Sequence, residues 1–423
     1  MKVLVLGSGG REHAVVSALA RSPRGPQIFC APGNAGIAQE AELVPLSADT
    51  PEGIEALADF AQTREIDLTV VGPEVPLVLG VVDLFRERGL RIFGPDQRAA
   101  QLEGSKCFTK EFLARHGIPT AAFQTFEDAA SARAYLEKRP LPIVLKADGL
   151  AAGKGVIVAR TRQEALTAVD DILVKRVFGD AGDRLLIEDC LVGSEISILV
   201  VADGESFVLL ETAQDYKPAH DGDPGPNTGG MGCYSPFYAL SDPLIVDIRK
   251  TVIEPTLDGL RNEGIVYQGV LYIGIMLTSA GPQVLEFNCR FGDPETQSIL
   301  PRLRTDIVEL FERSIDGTLG SLDLDWDPRH AVCVVAASAG YPGSYAKGVP
   351  IDGLEAVSDP AVKVYHAGTA TDSENGTVTA GGRVLGVTAL GGERASARES
   401  AYRVLATIHF EGLQHRSDIG VER

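Results

Sequence analysis

Residues 284–291 read Val-Leu-Glu-Phe-Asn-Cys-Arg-Phe, and this stretch decides how the fold is interpreted. Alternation along a β-strand places Glu286, Asn288 and Arg290 on one face and the apolar side chains on the other, namely Leu285, Phe287, Cys289 and Phe291. A carboxylate and an amide oxygen two residues apart are ligands that Mg²⁺ prefers. The neighbouring guanidinium can hold a carboxylate or phosphate through paired hydrogen bonds. An amphipathic strand with a solvated face would show the same pattern, so the strand alone leaves both interpretations open.

This strand is the second half of a predicted hairpin. Its partner is the apolar run 270–277, and Ser279-Ala-Gly-Pro282 supplies the turn between them. The loop after the strand, Gly292-Asp-Pro-Glu295, is polar and turn-forming. We expect this loop at the edge of a substrate-binding site, since binding residues concentrate on loops that a rigid scaffold positions.

A glycine-rich stretch earlier in the chain carries two lysines. Residues 146–155 read Lys-Ala-Asp-Gly-Leu-Ala-Ala-Gly-Lys-Gly; the glycine spacing is one residue short of a P-loop, and Gly155 stands where a P-loop has Ser or Thr. The ammonium groups of Lys146 and Lys154, beside glycine amides, can neutralise a triphosphate while the loop closes to exclude water. A solvated surface hairpin is the alternative, but it would not need small residues around a lysine.

The first strand, Val3–Leu6, runs into the turn Gly7-Ser-Gly-Gly-Arg-Glu-His13. Backbone amides at a strand-to-helix turn point outward at the positive end of a helix dipole, which suits a phosphate. A dinucleotide site is disfavoured, because Glu12 replaces the third glycine and no acidic residue closes the second strand. We therefore predict a phosphate-binding turn, with a purely structural tight turn as the alternative.

Two further segments give weaker signals. Ile187–Leu191 ends an apolar strand in acidic residues, and backbone groups there could read an adenine edge with Glu195 on the ribose, although solvated acids explain the pattern more simply. The run Asp221–Gly232 is long and rich in glycine, which predicts either a lid or a disordered loop. The isolated histidines have no partner spacing and are interpreted as structural, and no hydrolase motif stands out.

Bulk composition narrows the class of protein. The chain has 423 residues, a net charge of −19 and six cysteines that stand singly. A surface this acidic repels nucleic acid and anionic lipid, and isolated cysteines indicate neither a disulfide framework nor a zinc site. No apolar run is long enough for a signal peptide or a membrane span. We expect a cytoplasmic protein that binds neither nucleic acid nor membranes.

The order of elements predicts an α/β protein in three parts. Apolar runs alternate with helical patterns, such as residues 53–63 and 77–88, as far as Gly94-Pro95, which indicates βαβ units and a parallel sheet. Mixed helix and strand follow, together with the glycine-rich segments and the hairpin. An acidic stretch at 322–328 then precedes a third region, which ends in an amphipathic helix near 395–407.

Together these segments resemble the ATP-grasp superfamily and, within it, the phosphoribosylamine–glycine ligase family of purine biosynthesis. The resemblance runs through nearly the whole chain, and residues 226–232 and 290–295 are unusually specific to this family. Besides the N-terminal turn, the stretches that carry it are Val71–Leu77, Gln101–Lys106, Lys146–Gly155, Gly225–Gly232 and Glu286–Glu295. Pro218 departs from the family pattern, which usually has a basic residue after Lys217, and the 188–191 segment lacks the usual aromatic residue.

The resemblance implies an N-terminal Rossmann-like (pre-ATP-grasp) domain with a parallel sheet, a central ATP-grasp domain and a small C-terminal mixed α/β domain. The implied bounds are residues 1–103 for a substrate-binding domain, 104–322 with a lid subdomain at about 120–190, and 323–423.

The resemblance also implies a role for each matching residue. ATP is expected to contact Lys106, Lys146, Lys154, Glu188, Leu191 and Glu195, and Mg²⁺ or Mn²⁺ to contact Glu286 and Asn288. The expected catalytic residues are Arg290, Asp215, Lys154 and Asp293. Substrate binding is expected at Gly9, Gly10, Arg11, Glu12, Gly72, Pro73, Glu74, Asn227, Thr228, Gly229, Gly230, Met231, Asp293 and Pro294.

The implied reaction joins glycine to 5-phosphoribosylamine through glycyl phosphate, giving glycinamide ribonucleotide, ADP and phosphate. The implied enzyme is a monomer with transient contacts to neighbouring purine-pathway enzymes. Three alternatives stay open: another ATP-grasp carboxylate ligase or a biotin-dependent carboxylase, a nucleotide-binding sensor with a decayed site, and an NAD-dependent dehydrogenase. The intact set Lys146, Glu286, Asn288 and Arg290 argues against decay, and the missing third glycine argues against the dehydrogenase.

Overall fold

The computed structural model describes residues 1–150, 155–374 and 376–421. Its N-terminal region alternates strands and helices: β1 (Lys2–Gly7), α1 (Gly10–Ala20), β2 (Gln27–Pro32), β3 (Glu42–Leu43), α2 (Pro51–Arg64), β4 (Leu68–Val71), α3 (Glu74–Val78), α4 (Val81–Glu87) and β5 (Ile92–Phe93). The strands form one parallel sheet in the order β3-β2-β1-β4-β5. Because the carboxyl ends of parallel strands share one edge, the turns after β1 and β4 lie side by side.

A small antiparallel sheet follows two helices. The elements are α5 (Gln101–Gly104), α6 (Lys106–Arg115), β6 (Phe123–Phe126), α7 (Ala129–Leu136), β7 (Ile143–Ala147), β8 (Val156–Ala159), α8 (Arg162–Val169) and β9 (Leu185–Asp189). The strand order is β6-β9-β7-β8, and we call these strands the lid sheet. Leu136, Leu145 and Ile187 belong to an apolar core that this unit has to itself.

The central sheet is built around the predicted hairpin. Its region contains β10 (Ser194–Asp203), β11 (Phe207–Leu209), β12 (Gln214–Asp215), β13 (Gly232–Ser235), α9 (Pro243–Ile248), α10 (Glu254–Asn262), β14 (Gln268–Thr278), β15 (Gly281–Asn288), α11 (Glu295–Ile299) and α12 (Ile307–Asp316). The order is β11-β10-β14-β15, all antiparallel. Successive residues of β10 point to opposite faces of the sheet, so Ile198 is buried in one apolar core and Leu199 in a second. Leu4 lies in the first core and Val5 in the second, so the N-terminal region and the central sheet form one packed body.

The last sheet combines strands from two parts of the chain. The C-terminal region supplies β16 (His330–Ala337), β17 (Val362–His366), β18 (Thr369–Asp372), β19 (Gly376–Thr379), β20 (Arg383–Gly391) and α13 (Arg394–Leu405). The sheet order is β12-β13-β16-β20-β17, and β18 pairs with β19 separately. Since β12 and β13 precede the hairpin in the chain, the glycine-rich loop between them is anchored in the C-terminal sheet.

The second hairpin strand differs from the prediction. It ends at Asn288, so Arg290 lies beyond it, and a bulge interrupts its pairing with β14. Val284 and Phe287 are buried, whereas Leu285 is only half-buried. The prediction that Leu285 lies on the apolar face is wrong, because one extra residue in the strand reverses the alternation there.

The helix predicted over residues 77–88 is two helices. Gly80 lies between them with a φ of 88°, a left-handed conformation that glycine adopts without steric cost. The chain therefore turns at Gly80 instead of continuing a single helix.

The glycine-rich loop after β12 is tied to the C-terminal segment. Arg416 is almost fully buried, and its guanidinium donates hydrogen bonds to the carbonyl of Pro218 at 3.0 Å and to the carboxylate of Asp223 at 2.8 Å. The backbone N–H of Gly222 donates to Asp418 at 3.0 Å. These hydrogen bonds hold the tip of the loop against the C-terminal segment, which argues against the interpretation as a disordered loop.

A buried histidine pair docks the C-terminal sheet on the first helix. The backbone N–H of His366 donates to Nδ1 of His13 at 2.8 Å, and Nε2 of His13 lies 3.1 Å from Glu40. Burial, together with the charges of His13 and Lys363, lowers the pKa of His366 to about 4. These contacts join His13 and His366 across the two regions, and His366 is neutral at physiological pH.

Acidification should weaken this docking. A histidine whose folded pKa is below its unfolded value of about 6.5 stabilises the fold above pH 6.5 and loses that contribution as the pH falls towards 4. Between pH 7 and pH 5 the wild-type free energy of unfolding should therefore fall by about 2 kcal/mol more than that of His366→Gln. Urea titrations of both proteins at the two pH values measure the difference, and equal losses would contradict the expectation.

Candidate active site

One large cleft, of about 620 Å³, lies between the lid sheet and the end of the hairpin β14–β15. The predicted site residues that line it are Arg11, Glu74, Lys106, Lys146, Glu188, Leu191, Glu195, Asp215, Asn227, Thr228, Gly229, Glu286, Asn288, Arg290 and Asp293. The predicted site residues that do not line it are Gly9, Gly10, Glu12, Gly72, Pro73, Gly230, Met231 and Pro294. Lys154 lies outside the described residues. The cleft thus brings together residues from both ends of the chain and from its centre.

Glu286 projects from β15 into a group of positive charges. Its Oε1 lies 3.5 Å from Nζ of Lys217. Although burial opposes ionisation, the charges of Lys217, Lys146 and Lys106 lower the pKa of Glu286 to about 2. Glu286 is therefore an anion at neutral pH, as a carboxylate that binds a metal ion must be.

Arg290 is held by three side chains just beyond β15. Its Nη2 lies 2.9 Å from Oε1 of Glu103 and donates to Oδ1 of Asn288 at 3.1 Å, and its Nε donates to Glu74 at 3.3 Å. Oε2 of Glu103 accepts a hydrogen bond from the backbone N–H of Cys289 at 2.6 Å. Burial raises the pKa of Glu103 to about 7, although the charge of Arg290 opposes the shift. This network fixes the directions of both Asn288 and Arg290.

Glu286 and Asn288 fit a divalent cation that a nucleotide also binds. Within the described ranges, no three His, Cys, Asp or Glu side chains are arranged to hold a metal ion by themselves. Mg²⁺ is commonly bound by one or two protein oxygens together with substrate phosphates and water. Oδ1 of Asn288 has a second lone pair besides the one used by Arg290. A carboxylate and an amide oxygen on one strand therefore match an ion whose coordination phosphate oxygens complete.

Lysines lie beside the buried carboxylate of Glu188, on strand β9 of the lid sheet. Oε1 of Glu188 lies 2.5 Å from Nζ of Lys146, and its Oε2 lies 2.5 Å from Nζ of Lys110. Against the effect of burial, these two charges lower the pKa of Glu188. Nζ of Lys106 donates to the carbonyl of Gly149 at 2.7 Å. This wall of the cleft carries three ammonium groups for one carboxylate, which suits a polyphosphate.

The N-terminal turn is filled by its own carboxylate. The backbone N–H of Gly9 donates to Glu12 at 2.6 Å, and Nε of Arg11 lies 2.5 Å from the same carboxylate. A Cβ on Gly7 would lie 2.6 Å from Glu12, and one on Gly72 would lie 2.2 Å from it, so these glycines make room for that side chain. Glu12 thus caps the start of α1 through the backbone N–H of Gly9. Arg11 is the residue of this turn that lines the cleft.

Arg383, from the C-terminal region, joins the glycine-rich loop to the loop after β15. Its Nη1 donates to the carbonyls of Gly229 at 2.5 Å and Asp293 at 2.7 Å, and its Nη2 lies 3.1 Å from the Asp293 carboxylate. The backbone N–H of Gly229 donates to Oη of Tyr341 at 2.9 Å, and Gln297 donates to Asp293 at 2.7 Å. Against the effect of burial, Arg383 lowers the pKa of Asp293. The C-terminal region thus positions two walls of the cleft and keeps Asp293 ionised.

Comparison with known proteins identifies the family. Models of phosphoribosylglycinamide synthetase match residues 1–103 (N domain), 104–296 (ATP-grasp domain) and 331–422 (C domain). The phosphoribosylamine–glycine ligase of Caldanaerobacter subterraneus subsp. tengcongensis is 50% identical over 419 residues, which cover 99% of each chain. The ligase of the same name from Pseudomonas aeruginosa is 52% identical over 421 residues, 99% of this chain and 97% of its own. The chain belongs to the phosphoribosylamine–glycine ligase family.

Solved structures agree with this membership. A phosphoribosylamine–glycine ligase from Thermotoga maritima superposes with a TM-score of 0.86 at 33% identity, over 99% of this chain and all of its own. The biotin carboxylase domain of the Hydrogenobacter thermophilus 2-oxoglutarate carboxylase superposes with a TM-score of 0.74 at 18% identity, over 98% of this chain and 91% of its own, and shows a likeness of fold alone. The predicted α/β fold, with an N-terminal parallel sheet, a central ATP-grasp domain and a C-terminal mixed domain, is confirmed.

Membership of the family confirms the prediction of an ATP-grasp carbon–nitrogen ligase and excludes the dehydrogenase. The N-terminal turn agrees with this exclusion, because the backbone N–H of Gly9 already donates to the carboxylate of Glu12. No helix in the described part of the chain is long and apolar enough to cross a bilayer. The roles of the individual site residues stay predictions.

Several cleft residues escaped the sequence reasoning. Lys110 lies one helical turn after Lys106, so helical spacing could have found it. Glu103 lies inside the quoted stretch Gln101–Lys106, but it belongs to the preceding helix α5. Arg383 and Tyr341 carry no local signal, because they reach the cleft from strands and loops that follow the hairpin by dozens of residues.

Proposed function

We propose that this family member joins glycine to 5-phosphoribosylamine while converting ATP to ADP and phosphate, and so makes glycinamide ribonucleotide in de novo purine biosynthesis. The observation that carries the proposal is that Glu286 and Asn288 meet Lys106 and Lys146 in one cleft. That combination can hold the phosphates of ATP with a divalent ion and leave the γ-phosphorus open to a bound carboxylate.

In the first step, a carboxylate oxygen of glycine attacks the γ-phosphorus of ATP, the bond to the bridging oxygen of ADP breaks, and glycyl phosphate forms. Phosphoryl transfer needs mainly positioning and charge neutralisation from a protein. Lys106 and Lys146 neutralise the phosphates, and we assign Lys154 the same role from the family pattern. A divalent ion on Glu286 and Asn288 would add positive charge at the transferring group.

In the second step, the amine nitrogen of 5-phosphoribosylamine attacks the glycyl carbonyl carbon. The bond from that carbon to the phosphate oxygen breaks, phosphate leaves with the electron pair, and the nitrogen gives up a proton. Arg290 and the ionised Asp293 line the cleft, and we assign them, with Asp215, the orientation of glycine and the intermediate. Closure of the lid sheet would protect the acyl phosphate from water.

The two nucleotide-sized ligands occupy opposite ends of the cleft in this proposal. We place the adenosine of ATP against Glu188, Leu191 and Glu195, which line the cleft at the end of β9 and the start of β10. We place 5-phosphoribosylamine near Arg11 and Glu74. We also assign binding of 5-phosphoribosylamine to two further groups of residues. The first group neighbours Arg11 and Glu74 in the chain and consists of Gly9, Gly10, Glu12, Gly72 and Pro73. The second lies on the loops that follow β12 and β15 and consists of Asn227, Thr228, Gly229, Gly230, Met231 and Pro294.

Replacing Arg11 with alanine tests the sugar-phosphate site. Loss of a charge-assisted hydrogen bond should raise the KM for 5-phosphoribosylamine by roughly tenfold or more, with the KM for ATP almost unchanged. Steady-state kinetics with each substrate varied in turn measure both constants. Arg64→Ala, at an exposed position outside the cleft, is the matched control. An effect on the KM for ATP alone would contradict this placement.

The remaining assignments concern the metal ion, the location and oligomeric state of the enzyme, and its domains. We propose Mg²⁺ as the ion, since oxygen ligands and phosphates suit it, with Mn²⁺ as a substitute. We place the enzyme in the cytoplasm as a monomer, with transient contact to neighbouring purine-pathway enzymes that would shorten the exposure of a labile amine. The proposed domains are residues 1–103, 104–322 with the lid at about 120–190, and 323–423.

An assay of ADP release with each substrate omitted in turn tests the reaction. ADP should form only when ATP, glycine and freshly made 5-phosphoribosylamine are all present, or slowly without the amine if glycyl phosphate hydrolyses. Release that depends on bicarbonate and not on glycine would reject the proposal in favour of a carboxylase.

A further inference from the structure

The glycine-rich loop after β12 folds back on itself as a two-stranded ribbon, and we call residues 216–229 the ribbon. Pro218 and Asn227 pair across it as an antiparallel bridge. Three of its side chains line the cleft, namely those of Lys217, Asn227 and Thr228. Residues 220–227 are exposed, so apolar packing does little to hold the outer half of the ribbon. Polar contacts must therefore fix its position.

The C-terminal segment supplies those contacts, and we call residues 416–421 the clasp. The backbone N–H of Ser417 donates to the carboxylate of Asp221 at 2.8 Å, near the tip of the ribbon. The backbone N–H of Gly420 donates to Oη of Tyr216 at 3.0 Å, at the base of the ribbon. The clasp thus holds the ribbon at both ends of its first strand.

Arg416 lies at the centre of the clasp, and its side chain is fully buried. Its Nη1 donates to the carbonyl of Pro218 at 3.0 Å and to the carboxylate of Asp223 at 2.8 Å, both on the ribbon. Its Nε donates to the carboxylate of Asp418 at 2.7 Å, on the clasp. The guanidinium carbon lies 4.9 Å from the centre of the Tyr216 ring. A buried guanidinium is costly unless it is paired, so these partners hold the ribbon and the clasp together.

We propose that Arg416 is a positioning residue for the reaction, which holds the ribbon in place against the other walls of the cleft. The inference rests on the proposed function, in which Asn227, Thr228 and Gly229 of the ribbon bind 5-phosphoribosylamine. Arg416 lies outside the set of residues that line the cleft, so it acts there through the ribbon. Displacing a substrate-binding group by about 1 Å can cost two orders of magnitude in rate, and a distant support can therefore control activity.

Loss of this support should affect the amine substrate more than ATP. The ammonium group of Lys217 pairs with Glu195 and lies 3.5 Å from Glu286, so strands β10 and β15 hold it in addition to the ribbon. Thr228 instead donates through Oγ1 to the carbonyl of Lys217 at 2.7 Å, a contact inside the ribbon. Thr228 therefore moves with the ribbon, whereas the ammonium group of Lys217 keeps its partners.

Steady-state kinetics of Arg416→Lys and Asp221→Ala test the inference. Lysine keeps the charge of Arg416 but cannot reach the carbonyl and both carboxylates together. The KM for 5-phosphoribosylamine should rise about tenfold in Arg416→Lys, and the KM for ATP should stay within about twofold of the wild-type value. Asp221→Ala removes the contact with Ser417 from an exposed position and so keeps the fold, and its KM for the amine should rise about threefold. Arg403→Ala, which breaks an exposed ion pair with Asp359, is the matched control and should change neither constant.

Hydrogen exchange of the substrate-free proteins, measured by mass spectrometry, gives a second readout. Peptides that cover residues 217–228 should exchange faster in Arg416→Lys and Asp221→Ala, while peptides from β16 and β20 keep the protection of the wild type. This comparison needs no substrate, so it separates failure of the inference from failure of the proposed function.

Three results would overturn the inference. Unchanged exchange in residues 217–228 would show that the clasp does not hold the ribbon. Faster exchange with an unchanged KM for 5-phosphoribosylamine would show that Arg416 serves stability alone. Equal rises in the KM values for the amine and for ATP in Arg416→Lys would indicate a general distortion of the cleft.

Discussion

Replacing Glu286 with glutamine should lower kcat by roughly 10²–10³-fold and leave the fold intact. The carboxylate is the charged member of the proposed metal-binding pair, and glutamine keeps its shape while removing its charge. The wild-type side chain is partly exposed in the cleft, so its loss opens no apolar cavity. The substitution also leaves Lys217, Lys146 and Lys106 without the anion that they surround. Initial rates at saturating ATP and glycine, with thermal unfolding on the same samples, measure both effects.

A matched control separates metal binding from a general loss of negative charge. Glu355→Gln removes a carboxylate from an exposed site outside the cleft and should leave kcat within about twofold. Raising the concentration of Mg²⁺ or Mn²⁺ should recover part of the activity of Glu286→Gln but have no effect on the control. Wild-type kcat in Glu286→Gln would show that the ion binds elsewhere.

Replacing Arg383 with alanine should lower kcat/KM by roughly 10²-fold, although the residue lies in the C-terminal region. The guanidinium connects the carbonyls of Gly229 and Asp293 and pairs with the Asp293 carboxylate, so its loss releases two walls of the cleft from each other. Displacement of catalytic groups by about 1 Å can cost two orders of magnitude in rate. Steady-state kinetics should show the loss with all three substrates.

Arg383→Lys is the informative companion to this variant. Lysine retains the positive charge near Asp293 but cannot reach both carbonyls in the planar geometry of a guanidinium. If positioning is the role of Arg383, the lysine variant should recover little of the lost activity. Recovery to near the wild-type rate would indicate that charge alone matters at this position.

Local sequence patterns predicted many of the charged residues that line the cleft and part of the cleft's geometry. The strand that contains Glu286 and Asn288 and its hairpin partner were read from alternation and turn residues, which depend on neighbours in sequence. The bulge at Leu285 was not predictable in this way, because an inserted residue is visible only against the partner strand. The sequence predicted a phosphate-binding turn at the N-terminus, whereas the hydrogen bond from the Gly9 backbone to the carboxylate of Glu12 was identified only in the structure.

The amino-acid sequence by itself determined the family, the three-part α/β organisation and the main set of charged residues, because motifs of a few residues carry these properties. The tertiary structure alone decided which groups complete the cleft and which are already neutralised. Glu103 holds Arg290 from a helix 187 positions earlier in the chain, and Arg383 reaches Asp293 across 90 positions. Contacts of this kind depend on how distant elements pack, and pairing or isolation in a buried site decides the state of each charge.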